Sequence, residues 1–170
     1  MKTKLSKNQM RVAIAKDVIK QLKAGVYIPA GTYFWADDLP TGFGSGLLSN
    51  ENVQEEVLKL EACRVCAIGA AFVSGVRLFD GISGKNWDIY KGSNSVGAQS
   101  FFTKKQLCNM EEWFEVTKWP LTTALEDKIL RMHRSQRMRI VFRSIIANNG
   151  QVKNGDIKKR FEKARVLSHP

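Results

Sequence analysis

No run of apolar residues in this chain is long enough to cross a bilayer. The longest uncharged apolar stretch, Val65 to Val76, lies between Arg64 and Arg77 and falls short of the roughly 20 residues a spanning helix needs. A disulfide framework is excluded by number. Three cysteines are too few and odd, so a reducing compartment is expected. The opening segment "MKTKLSKNQMR" is basic, but no apolar region follows it, so no secretory signal is expected. There is no internal repeat and no low-complexity tract. What remains is a soluble chain placed in the cytoplasm.

Positive charge is abundant and unevenly spread. The net charge is +11 over 170 residues. Residues 1–23 carry +6, residues 24–123 carry −3, residues 124–147 carry +4 and the remainder +4. Basic ends around a mildly acidic middle point to an anionic partner, although charge also serves solubility. The hydrophobic content of 44% is ordinary. A chain of this size buries roughly 70% of its unfolded surface without covalent help.

Periodicity gives mostly helix. Met10, Ile14, Val18 and Leu22 recur every fourth residue, Ser6 and Gln9 have capping-box spacing and Gly25 is a natural stop, so a helix is expected over Lys7–Lys23. "VYIPAGTYFW" reads as a small hairpin turning at Pro29-Ala30-Gly31. A second helix is expected over Glu51–Leu60 and a third over Ala62–Phe79, followed by a polar loop from Asp80 to Ser100. Thr103 with Gln106 opens a fourth helix that ends near Glu115 and carries Leu107, Met110 and Phe114 on one side. Thr123 with Glu126 opens a fifth, running to about Ile146 and stopped by "NNG". The expected fold is mainly α: one helical domain over residues 1–150, with one small β-hairpin, and a basic tail over 151–170 that is either helical or disordered.

The C-x-x-C pair, Cys63 and Cys66, raises three options. A zinc site needs about four ligands, and beyond this pair only Cys108, His133 and His169 are on offer, far apart in sequence. A redox dithiol needs an exposed thiol at a helix N-terminus after a strand, a context the sequence does not display. Packing fits best. Cys63, Ala67, Ala70 and Ser74 share a helical face of small residues, joined by Cys66 and Gly69. Such a face lets neighbouring helices approach closely, and free cysteine behaves as a small buried hydrophobe. The stretch is therefore expected to be the central core helix, with no metal and no cofactor.

The surface feature of most chemical interest is "RMHRSQRMR". Arg131, Arg134 and Arg137 form one row on a continuous helix, and Arg139 and Arg143 a second. Guanidinium suits phosphate because it binds in a bidentate fork and keeps its charge. Lys16, Lys20 and Lys23 on the first helix, and Lys158, Lys159 and Arg160 with Lys163 and Arg165 in the tail, extend the set. No named nucleic-acid motif is present. "GFGSG" lacks the strand and the Lys-Ser/Thr of a phosphate loop. Asp80, Asn86 and Asp88 lack EF-hand order. His133 has no carboxylate placed beside it by sequence, and the four tryptophans, Trp35, Trp87, Trp113 and Trp119, suit packing better than base stacking.

"CRVCAIGAAFVS" after an amphipathic first helix, with "GTYF" between them and "RMRIVFRSIIANNG" towards the end, resembles a group of small proteins of bacteriophages and prophages over roughly residues 8–150. A weaker likeness is to a bacterial domain of unknown function with a Cys-Ala-x-Gly-Ala core. The resemblance implies a phage accessory protein made in the host cytoplasm and carries over no catalytic residue. The reading is a basic, non-enzymatic protein that binds nucleic acid, or a host protein that handles it, through the arginine helix. Two alternatives remain: an inhibitor of a host defence complex, and a binder or hydrolase of a small phosphate-containing nucleotide.

Overall fold

The computed structural model describes residues 5–31, 34–35, 61–79, 96–117 and 121–167. The fold is mainly helical, with a small sheet. Helix α1 spans Lys7–Ala24. The expected capping box is formed: Gln9 N–H donates to Ser6 Oγ at 3.2 Å and Ser6 N–H to Gln9 Oε1 at 2.8 Å. Gly25 closes the helix in the left-handed region, at φ 77°. Of the expected stripe, Ile14 and Val18 are fully buried and Leu22 nearly so, while Met10 packs at the core's edge.

Strands β1 (Tyr27–Pro29) and β2 (Phe34–Trp35) do not form the expected hairpin. A third strand, β3 (Cys63–Val65), lies between them, parallel to β1 and antiparallel to β2. Cys63 N–H donates to Val26 O at 2.8 Å and Ala30 N–H to Val65 O at 2.9 Å. Cys63 and Val65 are buried and Arg64 is exposed, the alternation of a strand. The central helix is therefore shorter than the expected Ala62–Phe79. Helix α2 covers Ala67–Leu78, and Cys66, in extended conformation, is its N-cap. Three residues of alternating burial are too short a signal to oppose the helical spacing that follows, which is why the strand was read as helix.

Every residue of α2 from Ala67 to Val76 is buried, so it is the central element expected of the small-residue stretch. It packs on α1, on α3 (Val96–Gln99), on α4 (Lys104–Glu115) and on β3. Tyr27 Oη meets Ser74 Oγ at 3.0 Å, which satisfies both buried hydroxyls. Within the expected surface loop Val96–Gln99 is helical and Ala98 is buried, while Gln99 and Ser100 are exposed; Phe101 and Phe102, just after it, are core. Residues 80–95 of that loop, and the helix expected over Glu51–Leu60, lie outside the described residues. Helix α4 matches its expectation, with the Thr103–Gln106 capping box formed and Leu107, Met110 and Phe114 fully buried.

The expected fifth helix is two. Helix α5 covers Thr123–Arg131 and α6 covers Arg134–Ala147. Thr122, not Thr123, is the N-cap of α5, and it makes no side-chain cap bond. Met132 is extended and buried, and His133 caps α6 by accepting from Ser135 N–H at 3.3 Å through Nδ1. Asn149 and Gly150 then turn left-handed, at φ 50° and 81°, as "NNG" implied.

The stretch from residue 151 is not loose. Helix α7 (Asn154–Lys163) buries Ile157 and Phe161 in the same core, and Phe161 stacks on Trp113 at 5.6 Å between ring centres. Asp156 fastens α7 to α6. Its Oδ2 accepts from Ser144 Oγ at 2.6 Å, Asn148 Nδ2 at 2.8 Å and Arg160 Nε at 2.6 Å. Burial acts to raise the Asp156 pKa, but these hydrogen bonds and the Arg160 charge outweigh it and hold the group below its ordinary 3.8.

Two predictions arise from this packing. A Cβ on Gly75 would stand 2.3 Å from the Phe101 ring, and that ring is itself buried. Gly75→Ala should destabilise by about 1–3 kcal/mol through overpacking, less up to ~1 kcal/mol regained from helix propensity; denaturant unfolding measures it, and an unchanged midpoint would contradict the close approach. The depressed Asp156 pKa contributes stability that is complete above the unfolded value of 3.8 and is lost as pH falls through the lower folded value. Thermal melts of Asp156→Asn should therefore show a shallower acid limb than the parent, with the two proteins converging at the lowest pH.

Candidate functional site

The five arginines of "RMHRSQRMR" and the residue after Phe142 do not form two rows on one helix. The break at Met132 separates Arg131 from the rest. Arg131 is exposed on α5, with its Nε donating to Asp127 O at 3.3 Å. Arg134 Nη2 lies 3.8 Å from Glu115 Oε2, and its guanidinium lies over Gly31, where an added Cβ would be 3.4 Å away. Arg137 is buried, with its guanidinium 5.6 Å from the centre of the Phe114 ring, and burial lowers its pKa. Arg134 and Arg137 thus join α6 to α4 and the sheet. Arg137 is an internal fastening, Arg134 stays exposed beside Glu115, and the expected row Arg131–Arg134–Arg137 is broken between two helices.

Arg139 and Arg143 lie one turn apart on a strip of α6 with Gln136 and Ala147, on the side of the helix away from the exposed Arg134. Arg143 is exposed, and Arg139 is half-buried, with its Nε lacking any hydrogen-bond partner. Helix α6 packs along both α1 and α7. Both neighbours run antiparallel to it. Gly150, just past the end of α6, abuts Asn8 at the start of α1. At the other end of α6, Arg134 reaches Gly31, which follows α1 and β1. In the same way Asp156 at the start of α7 bonds Ser144, while Arg165 beyond its end accepts from Gln136 at the start of α6.

Lys16, Lys20 and Lys23 are all exposed, on the face of α1 opposite its buried residues. Lys159, Lys163 and Arg165 are exposed on α7 and just beyond it. Lys158 and Arg160 are half-buried, and Arg160 is spent on Asp156. Exposed cations therefore stand on α1, on α6 and on α7, and α6 packs against both of the others. The exposed acid of α7, Glu162, accepts from Lys128 of α5 through its backbone carbonyl. Sequence reasoning found these residues by charge and spacing, but no local pattern could show that α1 and α7 bracket α6.

The remaining chemical candidates are structural. Cys63 points into the core from β3, and burial pushes its thiol up to about 12. Burial likewise pushes Cys66 up to about 11, against a weak backbone donation from Gly69 N–H to Sγ at 3.5 Å. A strand does precede the helix, as a redox motif requires, but neither thiol has thiolate character. Among the described residues no group of three or more His, Cys, Asp or Glu side chains gathers as a metal site. Among them, too, no helix is long and apolar enough to cross a membrane. His133 is committed to capping α6 and meets Ser135 Oγ at 2.8 Å. Trp113 is core, its Nε1 donating to Asn154 Oδ1 at 3.1 Å. "GFGSG", the Asp80–Asp88 region, Trp87, Trp119 and His169 lie outside the described residues.

No family model matches the chain, and no curated protein or solved structure matches it.

The cysteines give this subsection its prediction. In the native protein at pH 8, iodoacetamide should leave Cys63 and Cys66 unmodified and label the half-buried Cys108 first, read by peptide mass spectrometry. All three should react in denaturant. Rapid native labelling of Cys66 would remove the packing assignment and restore a reactive-thiol one.

Proposed function

We propose that the protein binds a polyanion, most simply nucleic acid, through the face formed by α1, α6 and α7. The observation that carries the reading is the set of cations on three adjoining helices: the exposed Lys16, Lys20 and Lys23, then the exposed Arg143 with the half-buried Arg139, then the exposed Lys159, Lys163 and Arg165. Of the other arginines, Arg137 lies buried against Phe114, and Arg134 and Arg160 are ion-paired to Glu115 and Asp156. A surface selected for solubility alone mixes both signs, whereas no acid is exposed on α1 or α6 and on α7 Glu162 is the exposed one. The accessory role of a phage protein in its host, suggested by the sequence motifs, is part of the same proposal and gives it a setting among nucleic-acid-handling machinery.

Each phosphate neutralised contributes about −0.9 to the slope of log K against log salt on duplex DNA. Arg139→Ala with Arg143→Ala should therefore weaken binding and reduce that slope by about 2, measured by fluorescence anisotropy with labelled nucleic acid. Arg131→Ala, one helix away, should leave both unchanged. A double variant that binds like the parent would remove the α6 strip from the interface. Absence of binding to any nucleic acid at low salt, with a protein captured instead, would favour the inhibitor reading.

A further inference from the structure

We infer that Arg134 and Arg137, together with Glu115, form a binding site for a phosphate monoester at the start of α6. The site lies on the side of α6 away from Arg139 and Arg143 and stands independently of the polyanion reading above.

Two orphaned polar atoms carry the inference. Arg137 is only 7% exposed, and its buried Nε has no hydrogen-bond partner among the described residues. Phe114 attracts the charge of this guanidinium, 5.6 Å from the ring centre, but a ring provides no oxygen for N–H groups that donate in the guanidinium plane. Glu115 Oε1 is likewise buried and unpartnered among the described residues. Its other oxygen, Oε2, lies 3.8 Å from Arg134 Nη2, an ion pair too long to be a hydrogen bond. Buried polar groups are paired as a rule, and an orphaned donor beside an orphaned acceptor marks a place where a ligand completes the pairing.

Charge is unbalanced at the same place. Burial lowers the Arg137 pKa most, Glu115 opposes that shift and Arg134 adds to it. The three side chains therefore act on one another as a cluster of two cations and one anion. Both arginines stand in the opening residues of α6, whose first turn holds no acid. There the helix dipole presents its positive end, which favours anions and disfavours cations. A buried guanidinium at that end is balanced by an anion from outside the chain.

The cluster is reachable. The Arg134 side chain is 43% exposed and that of Glu115 23%, so the two form a rim with Arg137 beneath. The Arg134 guanidinium rests over Gly31, which holds it at that rim. A guanidinium fork suits phosphate. A phosphate monoester presents three acceptor oxygens, enough for two guanidinia. With a second pKa of about 6 it also keeps a proton at mildly acidic pH, and that O–H donates to Glu115 Oε1. A sulfate monoester has the same shape and no proton to give, so Glu115 selects between the two.

The test is isothermal titration calorimetry of the full chain with methyl phosphate, methyl sulfate and acetate, at about pH 6 and constant ionic strength. Methyl phosphate should bind once per chain, and the other two at least about tenfold more weakly. Glu115→Gln should narrow the gap between phosphate and sulfate. Arg137→Met should abolish binding; Arg134→Ala, at an exposed position, should weaken it at least about tenfold and keeps the test decisive if the buried variant fails to fold. Arg139→Ala with Arg143→Ala should leave it unchanged. No saturable binding of methyl phosphate up to about 10 mM, an Arg134→Ala variant that binds like the parent, or methyl sulfate bound as tightly as methyl phosphate would overturn this inference and leave the polyanion reading intact. Loss of methyl phosphate binding in the Arg139 and Arg143 double variant would also overturn it, by moving the site to the opposite side of α6.

Discussion

A helix that is apolar on every side has to be covered on every side. Helix α2 is that helix, buried from Ala67 to Val76, and the rest of the chain is arranged by the need to enclose it. Small side chains make the enclosure close. Gly75 admits the Phe101 ring to a distance no side chain there would permit, and Cys63 and Cys66 fill the entry to the helix as compact apolar groups. The elements that cover α2 present their apolar stripes inwards and are left with their charges outwards. The distribution of charge over the surface is thus a consequence of how the centre is packed.

That packing also decides which arginines are free. A guanidinium leaves the surface only with a partner for its charge or a ring to lie on. Phe114 on α4 provides the ring for Arg137, whereas Arg134, beside Glu115, stays exposed. Arg11 is drawn inwards in the same way, donating to Phe101 O at 2.7 Å and to Asn8 Oδ1 at 3.1 Å, with its guanidinium over Phe102. Arg139 and Arg143 have no such partners and remain at the surface. Four positions separate Arg139 from Arg143, and three separate Arg134 from Arg137. Spacing alone treats both pairs as rows on a helix, and only the tertiary neighbours tell a fastening from a contact surface.

The helices were legible in the sequence wherever their ends carry their own chemistry. The Ser6–Gln9 and Thr103–Gln106 capping boxes, the Gly25 stop and the "NNG" turn are local interactions between residues a few positions apart, and each was formed as read. The small-residue character of α2 was legible for the same reason. The sheet was not, because β3 pairs with strands some 30 residues away and its three residues carry little pattern of their own. Thr123 with Glu126 had the right spacing for a cap, yet Thr122 takes the position without using its side chain, so spacing is necessary and not sufficient. The break at Met132 was hidden because His133 is an uncommon cap, recognisable only once Ser135 is seen to turn back on it.

The docking of α7 changes what the tail's charge means. On a disordered tail, Lys159, Lys163 and Arg165 would contribute a diffuse field and would pay ordering entropy on binding. Held against α6 through Asp156, Phe161 and the Gln136 amide, they are positioned beforehand, and that cost is met during folding. The arrangement has its own expense, since like charges on one face repel and oppose the compact state. Ile157 and Phe161 in the core, and a carboxylate satisfied three times over, offset that repulsion locally. The charge of the tail is thus carried on a docked helix whose place is set by the core, and not on a loose extension of the chain.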